Sequence, residues 1–101
     1  MPAVIEYTMI ALPGKYDELV DAYITFADQF GEVNPTEDLI LITGDPETGV
    51  VRGIGIFESG SEAHVVYGAE LFVAFREHAS HLIVGEPTRS ERELVHVFVK
   101  G

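Results

Sequence analysis

At 101 residues and 47% apolar, the chain can build a real core, and it is expected to form a single domain over residues 1–101. Seventeen acids against six bases leave a net charge of −11, which repels phosphate backbones and argues against nucleic acid, while serving solubility. There is no cysteine, so disulfides, a thiol nucleophile and Cys-based metal sites are excluded; with no apolar run near the ~20 residues of a membrane span and no basic leader, the expectation is a cytoplasmic protein without membrane contact.

Ala3 to Leu12 (AVIEYTMIAL) reads as the first strand. Ile5, Tyr7, Met9 and Ala11 share one face, which should meet helices; Val4, Glu6, Thr8 and Ile10 share the other. Pro13-Gly14 breaks the strand. Tyr16, Leu19, Val20, Tyr23, Ala27 and Phe30 then recur at helical spacing, opposite Asp17, Glu18, Asp21, Thr25 and Asp28. This predicts an amphipathic helix over about 15–30, closed by Gly31.

Leu39 to Gly44 (LILITG) is a short apolar strand entered from Asp38. The turn-rich run Gly44-Asp45-Pro46-Glu47-Thr48-Gly49 leads to a second strand from Val50, so the pair reads as a hairpin. Gly53 and Gly55 share a face of that strand, and glycine at such positions marks close approach of a helix or a ligand. Ser59-Gly60-Ser61-Glu62 has the spacing of a capping box and opens a helix that can run as far as Ile83. Val65, Phe72, Phe75, Ala79 and Leu82 form its main apolar stripe; His64, Gly68, Leu71, Phe75 and His78 form an adjoining one. Thr88 to Arg92 reads as a polar connection, and Glu93 to Lys100 (ELVHVFVK) as the last strand.

The order β-α-β-β-α-β is the split βαβ, ferredoxin-like α+β pattern: a four-stranded antiparallel sheet with two helices on one face. The other face is not clearly polar, so it needs cover. A second copy of the chain supplies it most simply, which predicts a homodimer, sheet towards sheet, around a lumen.

Several site chemistries lack support. His78 and His81 share a helix face with Glu77 close by, but no HExxH-type set is present, and the helix C-terminus explains the pair; no metal is expected. There is no GxSxG elbow and no phosphate loop, and Gly53-Ile54-Gly55 lacks a GxGxxG continuation. The aromatic stripe of Tyr23, Phe26 and Phe30 reads as core.

His64 is the first candidate catalytic residue, since an imidazole beside the glycine-bearing strand can pass a proton near neutral pH. Glu6, the only acid inside the first strand, would gain basicity if its face lines the lumen. His96, between Leu94 and Phe98, is a third lumen candidate, and Tyr67 can offer a hydroxyl to the same space.

Ser61-Glu62-Ala63-His64, then Leu71-Phe72-Val73-Ala74-Phe75, then Leu82-Ile83 resemble the dimeric α/β barrel superfamily and, within it, the antibiotic-biosynthesis-monooxygenase-like group. The resemblance implies a homodimer with a hydrophobic cavity in each subunit. It also implies cofactor-independent oxygenation of a small aromatic or polyketide-like substrate, with no cofactor bound. In that chemistry the substrate becomes an electron-rich carbanion that reacts with dioxygen itself. His64 matches the motif histidine; Tyr67 and Phe75 would be nearby pocket residues, and His78 shares the stripe of His64 and Phe75. The chain departs from the group in having no tryptophan, a pocket residue of both the anthrone oxygenases and the haem degraders. It also has no asparagine in its first strand, which disfavours the haem-degrading branch. Alternatives in the same barrel are a non-catalytic module binding a small apolar ligand, and an isomerase or cyclase using the same acid-base residues without oxygen.

Overall fold

The computed structural model describes residues 3–33, 37–57 and 61–100, with side chains other than those at 33, 37, 38, 57 and 61–69. The chain runs β1 (Ala3–Ile10), α1 (Tyr16–Val33), β2 (Glu37–Asp45), β3 (Val50–Phe57), α2 (Ser61–Ala79) and β4 (Thr88–Glu93). The sheet order is β2-β3-β1-β4, and every neighbouring pair is antiparallel. This is the ferredoxin-like α+β arrangement expected from the sequence. No helix among the described residues is long and apolar enough to cross a membrane.

The alternation in β1 decides which face is covered. Ile5 and Met9 are buried beneath the helices, and Val51 of β3 is buried beside them. Leu19, Tyr23 and Phe30 of α1 and Phe75 and Ala79 of α2 close over this layer. Each large side chain buried this way contributes about 1.5–3 kcal/mol. The opposite face carries Val4, Glu6 and Thr8 of β1, Arg52, Ile54 and Ile56 of β3, and Leu39 and Leu41 of β2. Leu39 and Leu41 are exposed there.

Gly53 shows why glycine stands in β3. A Cβ at that position would overlap the phenol of Tyr23, which descends from α1 onto the strand. The hairpin between β2 and β3 is tighter than expected. Asp45 pairs with Val50, and the Asp45 carboxylate accepts the Glu47 amide at 3.0 Å and the Thr48 amide at 3.4 Å. Gly49 adopts φ +78°, a left-handed conformation that suits glycine.

Three boundaries differ from the sequence expectation. Gly31 does not cap α1: the helix passes through it to Val33. One glycine costs a helix only about 1 kcal/mol, whereas Asn34-Pro35 is a far stronger stop, because the residue before proline is driven out of the α region. Helix α2 continues past Gly68 and ends at Ala79, short of Ile83. The capping box at 59–62 lies outside the described residues and side chains.

The third difference is the last strand, which is Thr88–Glu93 and not Glu93–Lys100. The exit from α2 sets this register. The Leu12 amide donates to the Leu82 carbonyl at 2.8 Å, and the Val84 amide to the Ile10 carbonyl at 2.7 Å, so the chain already lies beside β1. Only Gly85, Glu86 and Pro87 separate that contact from Thr88, which pairs with Thr8. By Glu93 the strand has reached Ala3, the first residue of β1. The polar run TRSERE therefore forms the sheet edge, where charged side chains discourage uncontrolled pairing. The apolar run after it lies outside the sheet.

Candidate functional site

A cleft of about 440 Å³, open to solvent, lies between α1 and α2. Its floor is Phe26, Leu71 and Phe75, and Phe26 and Phe75 stack at 4.6 Å with 16° between their planes. The rim carries His78 from α2 and Glu18, Asp21 and Gln29 from α1. The arrangement follows from helical spacing, since Leu71, Phe75 and His78 fall on one stripe of α2. Two of the residues expected to bind substrate, Phe75 and His78, are thus brought together. The cleft volume lies within the range of about 300–1,000 Å³ usual for small-molecule sites.

Beneath the cleft, Phe26 also borders a second space between helices and sheet, lined by Ile5, Tyr7, Tyr23, Phe30, Ile40 and Gly55 among others. That inner space is narrow, about 30 Å³. An aromatic network runs through it: Tyr7 meets Phe72 at 4.9 Å, and Tyr23 meets Phe75 at 4.8 Å. The Tyr23 hydroxyl donates to the Tyr7 carbonyl at 3.4 Å. Burial pushes the Tyr23 phenol well above its ordinary range. Burial also raises Tyr7, and the neighbouring Arg89 guanidinium partly offsets this. Both phenols therefore stay neutral at physiological pH and serve as hydrogen-bonding groups.

Glu6 lies on the opposite, open face of the sheet. Its two carboxylate oxygens are held by Arg52 at 3.5 Å and Arg92 at 3.1 Å. It is remote from the cleft; Arg92 donates a hydrogen bond to it and Arg52 forms an ion pair with it. His96 sits in the segment beyond β4, exposed and outside the sheet. His64 and Tyr67 fall in the first half of α2, where side chains lie outside the described set. His81 follows the end of α2 and is exposed. Among the described residues no three His, Asp or Glu side chains converge as metal ligands would.

Glu18, Asp21 and Thr25 are exposed, as expected of the polar side of α1, and they also border the cleft. Phe26, read as core, is shared between the cleft and the inner space. The crossing of α1 over α2 makes both assignments, and no periodicity within α1 alone reports it.

No family model matches the sequence, and no curated protein does. Solved structures do match the fold. A candidate antibiotic biosynthesis monooxygenase from Caulobacter crescentus superposes with a TM-score of 0.80 at 18% identity, over 94% of this chain and 91% of that one. A Streptomyces coelicolor monooxygenase from the gene ActVA-Orf6, in complex with nanaomycin D, superposes with a TM-score of 0.76 at 19% identity, over 98% and 92%. Protein Rv0793 of Mycobacterium tuberculosis gives a TM-score of 0.80 at 9% identity, over 96% and 98%. At these identities the likeness establishes the fold. The chain shares the ferredoxin-like architecture of the antibiotic-biosynthesis-monooxygenase-like group, as the sequence resemblance implied.

Proposed function

We propose that this protein is a cofactor-independent monooxygenase acting on a small hydroxylated aromatic or polyketide-like substrate, held in the cleft between α1 and α2. The observation that carries the proposal is the stacked Phe26–Phe75 floor beneath a rim of His78, Gln29, Glu18 and Asp21. An aromatic ring stacks on such a floor. Its hydroxyls donate to the acidic rim, and the same acids repel anionic substrates. A solved protein of this fold holds nanaomycin D, which agrees with an aromatic-lined site.

The chemistry asks little of the protein beyond a proton acceptor, orientation and partial exclusion of water. A base removes a proton from the activated methylene of an anthrone-type substrate. The resulting carbanion forms a carbon–oxygen bond to dioxygen, and the protonated base returns its proton to the peroxide anion, giving a hydroperoxide. The hydroperoxide then loses water, leaving a carbonyl; one oxygen atom stays in the quinone and the other departs in the water. His64 is the assigned base. By helical spacing it extends the stripe of Leu71, Phe75 and His78, about 10 Å along α2 from Leu71 and about 16 Å from Phe75, so the proposal requires a polycyclic substrate that runs from the Phe26–Phe75 floor towards the start of α2. Tyr67, Phe75 and His78 orient the substrate; Glu6, paired with Arg52 and Arg92 on the opposite face of the sheet, and His96, beyond β4, are not at the cleft and take no part in this step.

The working unit in this proposal is a homodimer in which the open faces of two sheets meet. Leu39, Leu41, Ile54 and Ile56 form the apolar part of that face around the Arg52–Glu6–Arg92 group. A non-catalytic binding module is the second reading, favoured by the narrowness of the inner space, which Tyr and Phe side chains nearly fill.

Oxygen uptake with a panel of anthrones, comparing the native protein with His64→Ala, tests the enzyme. The expected result is uptake that falls about 100-fold or more in the variant, the size of a lost general base. Equal uptake by both proteins removes His64 from the mechanism. No uptake above background across the panel transfers the lead to the binding module.

A further inference from the structure

The two ends of the α1–α2 cleft differ in charge. As α1 advances from Tyr23 to Phe26, its ring contacts on α2 step back from Phe75, at 4.8 Å, to Phe72, at 6.0 Å, so the helices run antiparallel. His78, near the end of α2, therefore stands at the same end of the cleft as Glu18 and Asp21, from the first turns of α1. Leu71 and Gln29 mark the other end, towards the start of α2. The Phe26–Phe75 stack lies between.

The acidic end is not neutralised from within. Lys15 reaches Glu18 at 3.4 Å, but both side chains are largely in water and the pair is weak. Asp21 has no ion pair or hydrogen bond among the described residues. No lysine or arginine borders the cleft: Arg76 of α2 lies over the Phe72 ring at 5.9 Å and pairs with Glu86 at 3.3 Å. The dipole of α1 accounts for an acid at Glu18, in the first turn. It does not account for Asp21, which lies beyond that turn, where the effect has faded.

We infer that the cleft takes a polycyclic aromatic molecule carrying a protonated amine, with its rings on the Phe26–Phe75 floor and its ammonium group at Glu18 and Asp21. This rests on the reading of the cleft as the substrate site given above, and it adds the charge of what enters. About 7.5 Å of helix separates Asp21 from Phe26, so a substituent on the near edge of a stacked ring system meets the carboxylates. Next to an aromatic wall those carboxylates act on a cation with less screening than in open water. The part of an ammonium group that overlies a phenylalanine ring is also attracted by the ring face. An uncharged analogue gains none of this, and a carboxylate is repelled. The ammonium and the reactive methylene then sit at opposite ends of the molecule, the first against α1 and the second towards His64.

The test is a fluorescence titration of the full chain, near neutral pH and at low ionic strength, with probes that share one ring system: aminomethylanthracene, hydroxymethylanthracene and anthracenecarboxylate. Methyl-labelled alanine reports the place of binding, since Ala22 and Ala74 border the cleft and a stacked anthracene shifts their methyl signals. The native chain is compared with Glu18→Gln/Asp21→Asn and with Asp28→Asn/Glu32→Gln, which removes equal charge from exposed positions of α1 that do not border the cleft. The inference expects the amine to bind at least about fivefold tighter than the alcohol, and the carboxylate to bind weakest. In Glu18→Gln/Asp21→Asn the amine and the alcohol should come within about twofold of each other while the alcohol keeps its affinity, which also shows that the fold is intact. The other variant should keep the preference. Equal binding of amine and alcohol by the native chain overturns the inference, as does a preference that survives in Glu18→Gln/Asp21→Asn or falls equally in both variants. The oxygenase reading then still stands or falls on oxygen uptake. Absence of binding by every probe, or binding that leaves the Ala22 and Ala74 signals unmoved, overturns both the inference and the cleft as the substrate site.

Discussion

Tyr23 shows how one side chain ties the two layers together. Its ring packs on Phe75, its hydroxyl reaches the backbone of β1, and its bulk occupies the space that Gly53 leaves open. Its buried phenol also has a consequence for stability. The folded state raises the pKa above the unfolded value near 10, so below about pH 10 both states keep the proton and the contribution is complete. As the pH rises past that point, the unfolded chain releases the proton and the folded chain retains it. Stability is then lost at up to about 1.4 kcal/mol per pH unit until the folded group itself ionises. Urea unfolding at about pH 9 and about pH 11 should show this loss, and Tyr23→Phe should reduce it. Tyrosinate absorbance should show the Tyr23 phenol titrating above the ordinary phenol range. An unchanged pH slope in Tyr23→Phe would mean that the alkaline loss arises elsewhere.

At the scale of elements, what was legible followed period and what was not followed context. The alternation of Ile5, Tyr7, Met9 and Ala11 identified the buried face of β1, and Gly53 announced a close approach that proved to be Tyr23. Phe75 and His78 sat on a readable stripe of α2. The polar neighbours Glu18, Asp21 and Gln29 were not legible as lining, because only the crossing of α1 over α2 turns them towards the cleft. The last strand went to TRSERE and not to LVHVFVK because the contacts of Leu82 and Val84 with the end of β1 start the pairing early. Propensity favours the second run, but connection length selects the first. Gly31 teaches the same lesson and gives a direct check. It lies inside α1, exposed and without positive φ, so alanine fits there. Gly31→Ala should raise stability by about 0.4–1 kcal/mol through a less flexible unfolded chain and better helix propensity. Had Gly31 been a left-handed cap, the same change would destabilise. The sign of the shift in urea midpoint separates the two.

For the whole molecule the governing quantity is charge. Each chain carries −11, and the proposed dimer brings two such chains together over a face whose centre, Arg52–Glu6–Arg92, is the local exception. Those ion pairs are partly exposed and lie within one chain, so each contributes little, at most about 1 kcal/mol, to folding. Their larger role is to give the face a net positive centre within an acidic surface. Repulsion between the remaining acids acts over a Debye length, about 30 Å at 10 mM salt and about 8 Å at 150 mM. Apolar contacts are far less sensitive to salt over that range. Dimerisation should therefore strengthen as salt rises between these limits, by about three- to tenfold for a repulsion of roughly 1 kcal/mol. Sedimentation equilibrium across the series measures it. Weakening with salt would instead show that attraction between opposite charges on the two chains, with Arg52 and Arg92 as the available cations on the open face, outweighs the overall repulsion. Glu6→Gln distinguishes the cases further. It frees both guanidiniums, and if they reach acids of the second copy it should tighten the dimer at low salt while leaving the urea midpoint of the isolated fold nearly unchanged.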